Sequence, residues 1–340
     1  METAFETIQR TSTISFPGLF GSFSINPPAS FSLFGRSIYF YGVIIALGFL
    51  LGITYCAKRS ARFGIREDDL YDLVLWLIPL SILGARLYFV LFKLDYYIAN
   101  PGEILAIWNG GLAISGGVIA GVIVMVLVCR HKKIAWQAML DLIVYGLLIG
   151  QILGRWGNFM NREAFGAQTD IFCRMQLTAP DGSFICVHPT FLYESLWNLA
   201  LFIGLLLWMK RGKRKYDGQM ALLYLFWYGL GRAWIEGLRT DSLYIGHTGI
   251  RVSQALSLAL VLFSLAVLLL QRRREHPAEK LFVNRAAAAE AKQDSPAEIA
   301  DAKKENAAET GEAKEDSPAE IAEPERENAA DAEGPAEIDT

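Results

Sequence analysis

Apolar residues along this 340-residue chain come in long blocks rather than in alternation with polar ones. Seven blocks, at roughly 38–57, 70–92, 111–129, 137–154, 189–209, 219–238 and 252–271, are mainly apolar over the length of about 20 residues that a helix needs to cross a bilayer. Backbone N–H and C=O groups find no water in hydrocarbon and must satisfy one another. Each block therefore predicts one spanning helix, and the chain an all-α polytopic membrane protein. The fourth block is the weakest, because Asp141 interrupts it.

Charge between the blocks sets their direction. Lys58, Arg59, Arg62 and Arg66 lie between blocks one and two, and Arg130, Lys132 and Lys133 between three and four. Lys210, Arg211, Lys213, Arg214 and Lys215 lie between five and six, and Arg272, Arg273 and Arg274 follow block seven. The intervening loops are poorer in Lys and Arg. Basic residues near span ends are retained on the cytoplasmic side, so the N-terminus is expected outside and the C-terminus in the cytoplasm. Six or eight spans would break the alternation.

Composition adds a further part. The chain is 53% apolar with a formal net charge of -3, yet from Glu275 onward it carries 19 acidic and 7 basic residues, or -12, which leaves +9 on the remainder. That tail is rich in Ala and Glu and repeats imperfectly, "DSPAEIADAKKENAAETGEAKE" from Asp294 being followed by "DSPAEIAEPERENAADAEGPAE" from Asp316. Such a segment buries too little apolar surface to offset chain entropy and is expected to be disordered. The organisation is thus an N-terminal extracytoplasmic or interfacial segment over 1–37, a seven-helix transmembrane domain over 38–274 and an acidic cytoplasmic tail over 275–340. No basic n-region leads into an apolar stretch near the start, so no cleavable signal peptide is expected.

Ionisable side chains inside a span cost about 2.5–3.5 kcal/mol each on insertion scales and are candidates for function. Block six ends "YGLGRAWIEGLR", where Tyr228, Arg232 and Glu236 recur at i, i+4 and i+8 on one helix face and Arg239 lies one turn further on. Either Arg232 and Glu236 form an internal ion pair that fixes packing, or the stripe faces a polar cavity. Arg86, in "GARLYFVLFK", either snorkels to the outer surface or joins that cavity. Tyr41 alone would pass for an interfacial aromatic. Gly146, Gly150 and Gly154, and Gly117 and Gly121, have the spacing of close helix contacts. The amides of "WNGGLAISGG", Trp108 to Gly117, are candidates for holding an anion.

After block four the sequence reads "GRWGNFMNREAFG", on the side expected to face outward. Arg155, Arg232 and Arg239, with Arg86 as a further candidate, would gather there with Glu163, Glu236, Asn158 and Asn161. The planar fork of arginine matches phosphate, and arginines near an interface suit the phosphate of a lipid head group. No G-x-x-x-x-G-K-[ST], H-E-x-x-H or G-x-S-x-G pattern occurs, so an ATP-driven engine and two common hydrolase designs are unsupported. Four cysteines, Cys56, Cys129, Cys173 and Cys186, fit no metal spacing. Cys173 and Cys186 flank "APDGS", which reads as a hairpin turn; a disulfide and two free thiols both remain open.

"GRWGNFMNREAFG" resembles the signature of the prolipoprotein diacylglyceryl transferase family, roughly G-R-x-G-N-F-x-N-x-E-x-x-G, and matches it at Gly154, Arg155, Gly157, Asn158, Phe159, Asn161, Glu163 and Gly166. "YG" at Tyr41, "GAR" at Gly84, the glycine pairs at Gly110 and Gly116, Asp141, "HPTFLYES" at His188 and "YGLGRAWIEGLR" follow in family order. The resemblance covers about residues 30–272. It implies a seven-helix catalytic domain in the bacterial cytoplasmic (inner) membrane with its active site toward the extracytoplasmic face. The implied activity is transfer of the diacylglyceryl group of phosphatidylglycerol to the lipobox cysteine of a prolipoprotein, with release of glycerol phosphate. No metal or cofactor is implied, and no nucleic-acid partner is expected. Arg155 would grip the lipid phosphate and Arg232 would stabilise its charge as the carbon–oxygen bond breaks. Tyr41, Asn158, Glu163, Gly166, Tyr228, Glu236 and Arg239 would shape and bind the substrate. Where the family often has a histidine proposed as a base, this chain has Ser115. Either His188 or His247 assists, or a thiol of pKa about 8.5 needs no dedicated base; the second is favoured. His188 before Pro189 equally suits a simple start to block five. Two competing classes are a transporter or channel for an anionic substrate, which predicts internal repeats and mid-membrane charge, and a seven-helix receptor.

Overall fold

The computed structural model describes residues 12–240 and 251–293. Seven long helices coincide with the apolar blocks: α1 (Phe40–Arg59), α2 (Glu67–Phe92), α3 (Ile114–His131), α4 (Trp136–Asn161), α5 (Thr190–Lys210), α6 (Gln219–Leu238) and α7 (Val252–Arg272). Among the described residues six of these are long and apolar enough to cross a membrane. The other, α6, is equally long, but Gln219, Arg232 and Glu236 make it too polar in composition. Helix α4 runs seven residues past the expected end of block four, so the signature is helical as far as Asn161.

The helix ends carry the charges that their dipoles favour. Glu67, Asp68 and Asp69 open α2, whereas Lys58 and Arg59 close α1, Arg130 and His131 close α3, Lys210 closes α5 and Arg272 closes α7. The bundle has an apolar core, exposes large apolar side chains on its flanks and buries several polar ones. Leu75, Leu87, Val118 and Leu262 stand exposed on helix flanks, while Asp141, Glu194, Asn198, Glu236 and Ser264 are buried. So many exposed large apolar side chains suit a hydrocarbon surround.

Small residues decide which helices touch. A β-carbon on Gly52 of α1 would lie 2.8 Å from the Gly146 carbonyl oxygen of α4, and one on Gly116 of α3 would lie 2.5 Å from the Gly84 carbonyl oxygen of α2. Both pairs let backbones meet where any larger residue would hold them apart. Gly48 and Gly150 extend the first seam.

Outside the helices the chain forms two antiparallel sheets that the apolar blocks alone did not announce. Strands β1 (Thr13–Ser15), β2 (Ser24–Ile25), β5 (Met175–Thr178) and β6 (Phe184–Val187) make one in the order β2-β1-β5-β6, and β3 (Ser30–Leu33) pairs with β4 (Arg36–Tyr39) in the other. The "APDGS" turn does join the β5–β6 hairpin, with Asp181 accepting from the backbone and hydroxyl of Ser183. Ile14, Met175, Leu177 and Val187 bury one face of the larger sheet against Phe165 and Phe191. Cys173 and Cys186 are free thiols, the first 3.4 Å from the Tyr193 hydroxyl and the second 4.0 Å from Gln176 Oε1.

The expected onset of disorder at 275 needs correction. A further helix, α8 (Phe282–Gln293), follows α7. The Phe282 amide donates to Asp217 Oδ2 at 2.9 Å, and Phe282 packs on the main core. Phe282 and Val283 supply the apolar anchor that the Ala/Glu-rich composition concealed. Residues 294–340, including both repeats, lie outside the described residues.

Candidate active site

Four pieces of chain assemble a polar centre at the end of the bundle nearest the larger sheet. The signature supplies the first. Arg155 and Asn158, three apart on α4, share a face, and Arg155 Nη1 donates to Asn158 Oδ1 at 3.3 Å. Asn158 Nδ2 and Asn161 Nδ2 both donate to Glu163 Oε1, at 3.0 and 3.3 Å. The chain leaves α4 through left-handed backbone at Arg162 (φ 54°) and Ala164 (φ 56°), which turns Glu163 back toward the helix. Arg162 holds that reversal: its guanidinium donates to the carbonyls of Ser12, Met160 and Pro27 and to Asn26 Oδ1. The signature's two arginines therefore do different work, Arg162 in the scaffold and Arg155 in the site.

Helix α6 supplies the second piece. Arg232 Nη2 pairs with Glu236 Oε2 at 2.8 Å, so the internal ion pair exists, yet Arg232 Nη1 also reaches Glu194 Oε1 on α5 at 2.9 Å. The stripe therefore makes the internal ion pair and also meets a carboxylate of the neighbouring helix. Tyr228 lies one turn earlier, its ring stacked on Tyr224 at 5.4 Å. Arg239, just past the helix end, forms an isolated bridge with Gly166 and has Nη1 3.8 Å from Glu194 Oε1. Gly166 is buried, and a β-carbon there would lie 2.7 Å from the His188 β-carbon and 2.9 Å from the Leu238 carbonyl oxygen. Only glycine lets that crossing close.

Glu194 is the hub. Its carboxylate, 4% exposed, pairs with Arg155, Arg232 and Arg239 from two helices and a loop. The same insertion cost that singles out Arg232 in an apolar run applies to Glu194 in "HPTFLYES", and that signal was legible in the sequence without being used. Arg251, at the start of α7, adds a fourth guanidinium through the Glu236 carbonyl. Among the described residues four arginines thus gather about Glu194 and Glu236, with Glu163 joined to Arg155 through Asn158. Arginine side chains only 12–22% exposed hold their charge where water screens it poorly.

Tyr41 reaches the same region from α1. A β-carbon on Gly157 would lie 2.7 Å from Tyr41 Cδ2, so the ring lies directly on α4 between Arg155 and Asn158 in sequence. Ser115 is exposed in the first turn of α3. His188 sits at the sheet's edge just before α5, with Nδ1 3.4 Å from the Tyr193 hydroxyl and its backbone bonded to Ala167, Gly166 and Thr190. Burial pushes its imidazole below the ordinary histidine range, and its place beside Pro189 is the start of α5. His247 lies outside the described residues.

Two candidates have other work. Arg86 is buried and donates to the carbonyls of Glu103, Ile104, Gly110 and Gly111, with Tyr97 beneath it at 5.2 Å. It clamps the loop before α3, neither snorkelling nor joining the cluster. Gly110 and Gly111, at φ 83° and 74°, turn their carbonyls onto that cation, so the loop offers Arg86 acceptors. Asp141, at the far end of α4, accepts from Arg214 and from the amides of Gly218 and Ala221, tying α4 to the start of α6.

The family model described as prolipoprotein diacylglyceryl transferase matches residues 28–270, which span every residue of this cluster. The chain belongs to the prolipoprotein diacylglyceryl transferase family. Relatives called phosphatidylglycerol–prolipoprotein diacylglyceryl transferase include that of Finegoldia magna, 44% identical over 233 residues, covering 68% of this chain and 91% of the relative. That of Limosilactobacillus reuteri is 43% identical over 251 residues, covering 71% and 90%. That of Streptococcus pneumoniae is 43% identical over 256 residues, covering 74% and 96%. A prolipoprotein diacylglyceryl transferase is a membrane transferase by name and by the helices described above.

Proposed function

We propose that this member of the family moves the diacylglyceryl group of phosphatidylglycerol onto the lipobox cysteine of a prolipoprotein, the first step of bacterial lipoprotein maturation. The observation that carries the reading to these residues is the meeting of Arg155, Arg232 and Arg239 on the single carboxylate of Glu194. Without a phosphate, Glu194 keeps three like charges together. With one, the guanidinium forks turn partly to the phosphate oxygens, bidentate contacts for which Arg is suited and Lys is not.

The peptide's thiolate attacks the glycerol carbon esterified to phosphate and forms a thioether. The carbon–oxygen bond breaks, its electron pair stays on the phosphate oxygen, and glycerol phosphate departs. Negative charge grows on that oxygen in the transition state, where fixed guanidiniums in a poorly screened site lower the barrier. Arg155 binds the phosphate and Arg232 stabilises the leaving charge. Asn158 and Glu163 hold Arg155 in place, Glu236 does so for Arg232, and Tyr41, Tyr228, Gly166 and Arg239 shape the surround. The thiol's proton passes to water, with neither Ser115 nor His188 acting as a base.

In this reading the chain crosses the cytoplasmic membrane seven times, with its N-terminus and arginine cluster outside and its tail inside. The basic ends of α1, α3, α5 and α7 favour that direction. The polar face of α6 meets α5 through Arg232 and Glu194, which permits the least apolar helix to span as well. Purified protein, phosphatidylglycerol and a lipobox peptide are expected to give the diacylglyceryl peptide by mass spectrometry. A peptide of unchanged mass, under conditions in which the Finegoldia magna relative is active, rejects the reading. Impermeant thiol labelling of cysteines placed singly at Gln168 and Lys133, in a background with Cys173 and Cys186 replaced by serine, tests direction separately, with only the first expected to react in intact cells.

A further inference from the structure

At the opposite end of the bundle from the arginine cluster, α5, α6 and α7 line a half-open cavity of about 880 Å³, within the range of about 300–1,000 Å³ common to ligand pockets. Its wall is apolar, built from Trp208, Leu223, Leu268 and Leu269. Its rim carries Lys215, Arg272 and Arg274 against one acid, Glu275. Among the described residues none of the three cations forms an ion pair, although Asp69, Asp141 and Asp217 elsewhere at this end are all paired. Tyr216 and His276 meet at the rim with ring centroids 4.6 Å apart and planes tilted by 30°, and His276 bonds to the Gln271 carbonyl, which fixes the basic segment after α7 beside the opening.

Retention of basic residues on the cytoplasmic side accounts for their number there but not for three cations around one apolar hollow that, among the described residues, form no ion pair. Cations above an apolar wall at the level of the head groups complement a lipid phosphate with an acyl chain beneath it. Leu269 is half exposed, and Leu262 and Leu265 continue an exposed apolar flank along α7, so the wall is continuous with the lipid-facing surface. The chain's own acidic tail matches the charge but, being Ala/Glu-rich, has little apolar surface to bury on that wall.

We propose that this cavity holds one anionic phospholipid of the inner leaflet, with its phosphate on Lys215, Arg272 and Arg274 and the upper part of one chain along Leu223, Leu268 and Leu269. The site is separate from the one that binds the donor lipid. Its leaflet assignment rests on the proposed membrane direction, whereas its chemistry does not.

The test uses full-length protein in nanodiscs with phosphatidic acid or phosphatidylcholine carrying the same photoactivatable chain, and peptide mass spectrometry to map the crosslinks. Phosphatidic acid is expected to label the segments containing Leu223 and Leu268 at least fivefold more than phosphatidylcholine. Combined Lys215→Gln, Arg272→Gln and Arg274→Gln should bring the ratio to about one, while diacylglyceryl transfer stays within twofold and shows that the variant is folded. Equal labelling by the two lipids in the unmodified protein overturns the proposal, because that is the behaviour of surrounding bulk lipid. Displacement of the label by millimolar inorganic phosphate also overturns it, assigning the cations to a soluble anion. So does labelling that rises only after deletion of residues 294–340, which makes the tail the occupant. Failure of the transfer assay in the unmodified protein would count against the proposed function and leave the crosslinking result to stand by itself.

Discussion

Glu194 of α5 lies 2.9 Å from Arg232 of α6, and through the same buried carboxylate Arg232 is joined to Arg155 of α4. A single acid thereby holds guanidiniums from two other helices in one place. Glu194→Gln keeps the shape and removes the charge, leaving the arginines to repel one another. Transfer is expected to fall at least tenfold and the thermal midpoint to drop, since removing one partner of a buried pair costs about 3–5 kcal/mol. A variant as active and as stable as the parent would show that the cluster does not need its hub.

Arg155→Ala and Arg232→Ala are each expected to reduce transfer by about 10²–10³-fold, the usual loss on deleting one transition-state donor. Membrane insertion should survive. Lysine at either position should not restore activity, because a point charge cannot make the two-pronged contact. Full transfer in either alanine variant, followed by mass spectrometry of the peptide, removes the role assigned to that residue.

Gly157→Ala places a methyl group 2.7 Å from Tyr41 Cδ2 and must move the ring. The expected result is transfer lowered by about ten- to a hundredfold, the order of loss that a small displacement near reacting groups produces. Expression and membrane insertion should change little. Wild-type kinetics would mean that the position of Tyr41 is of no consequence.

Burial holds the His188 imidazole below its ordinary pKa of about 6.5. The unfolded chain therefore takes up the proton first. The contribution to stability is fully present above about pH 6.5, is lost as pH falls through the lower folded value, and levels off beneath it. His188→Gln should flatten that part of a melting-temperature profile between pH 5 and 7 while leaving transfer within about threefold. The rate itself should climb between pH 6.5 and 8 with ionisation of the peptide thiol. A rate profile that loses its pH dependence in the glutamine variant would make His188 the base.

Deleting residues 294–340 should leave transfer unchanged. Ending the chain at residue 281 should lower the melting temperature, because Phe282 packs on the core and its amide bonds Asp217. Equal stability of the two truncations would show that α8 adds nothing to the fold.

Several features were legible because they depend on one helix at a time. The position of each long helix follows from apolar block length, and the shared face of Tyr228, Arg232 and Glu236 from a four-residue repeat. The eightfold match to a family signature located Arg155 without any coordinates. Glu194 shows where such reasoning stopped. Its cost in an apolar run was visible, but its partners lie 38 and 39 positions away in sequence, and nothing local names them. Arg86 shows the converse: an arginine in a span looks the same whether it awaits an anion or is saturated by four carbonyls.

The sequence by itself determined the helical segments, their charged ends and the family, since hydrocarbon length, macrodipole and motif are all read along one dimension. The tertiary structure alone decided which arginines share an acid, which one clamps a loop, and that Phe282 anchors the beginning of the tail. Those outcomes depend on backbones meeting at Gly52 and Gly146 or at Gly84 and Gly116, and on a sheet built from strands some 160 residues apart in the chain. Contact between distant segments is a property of packing in three dimensions, and local pattern carries no record of it.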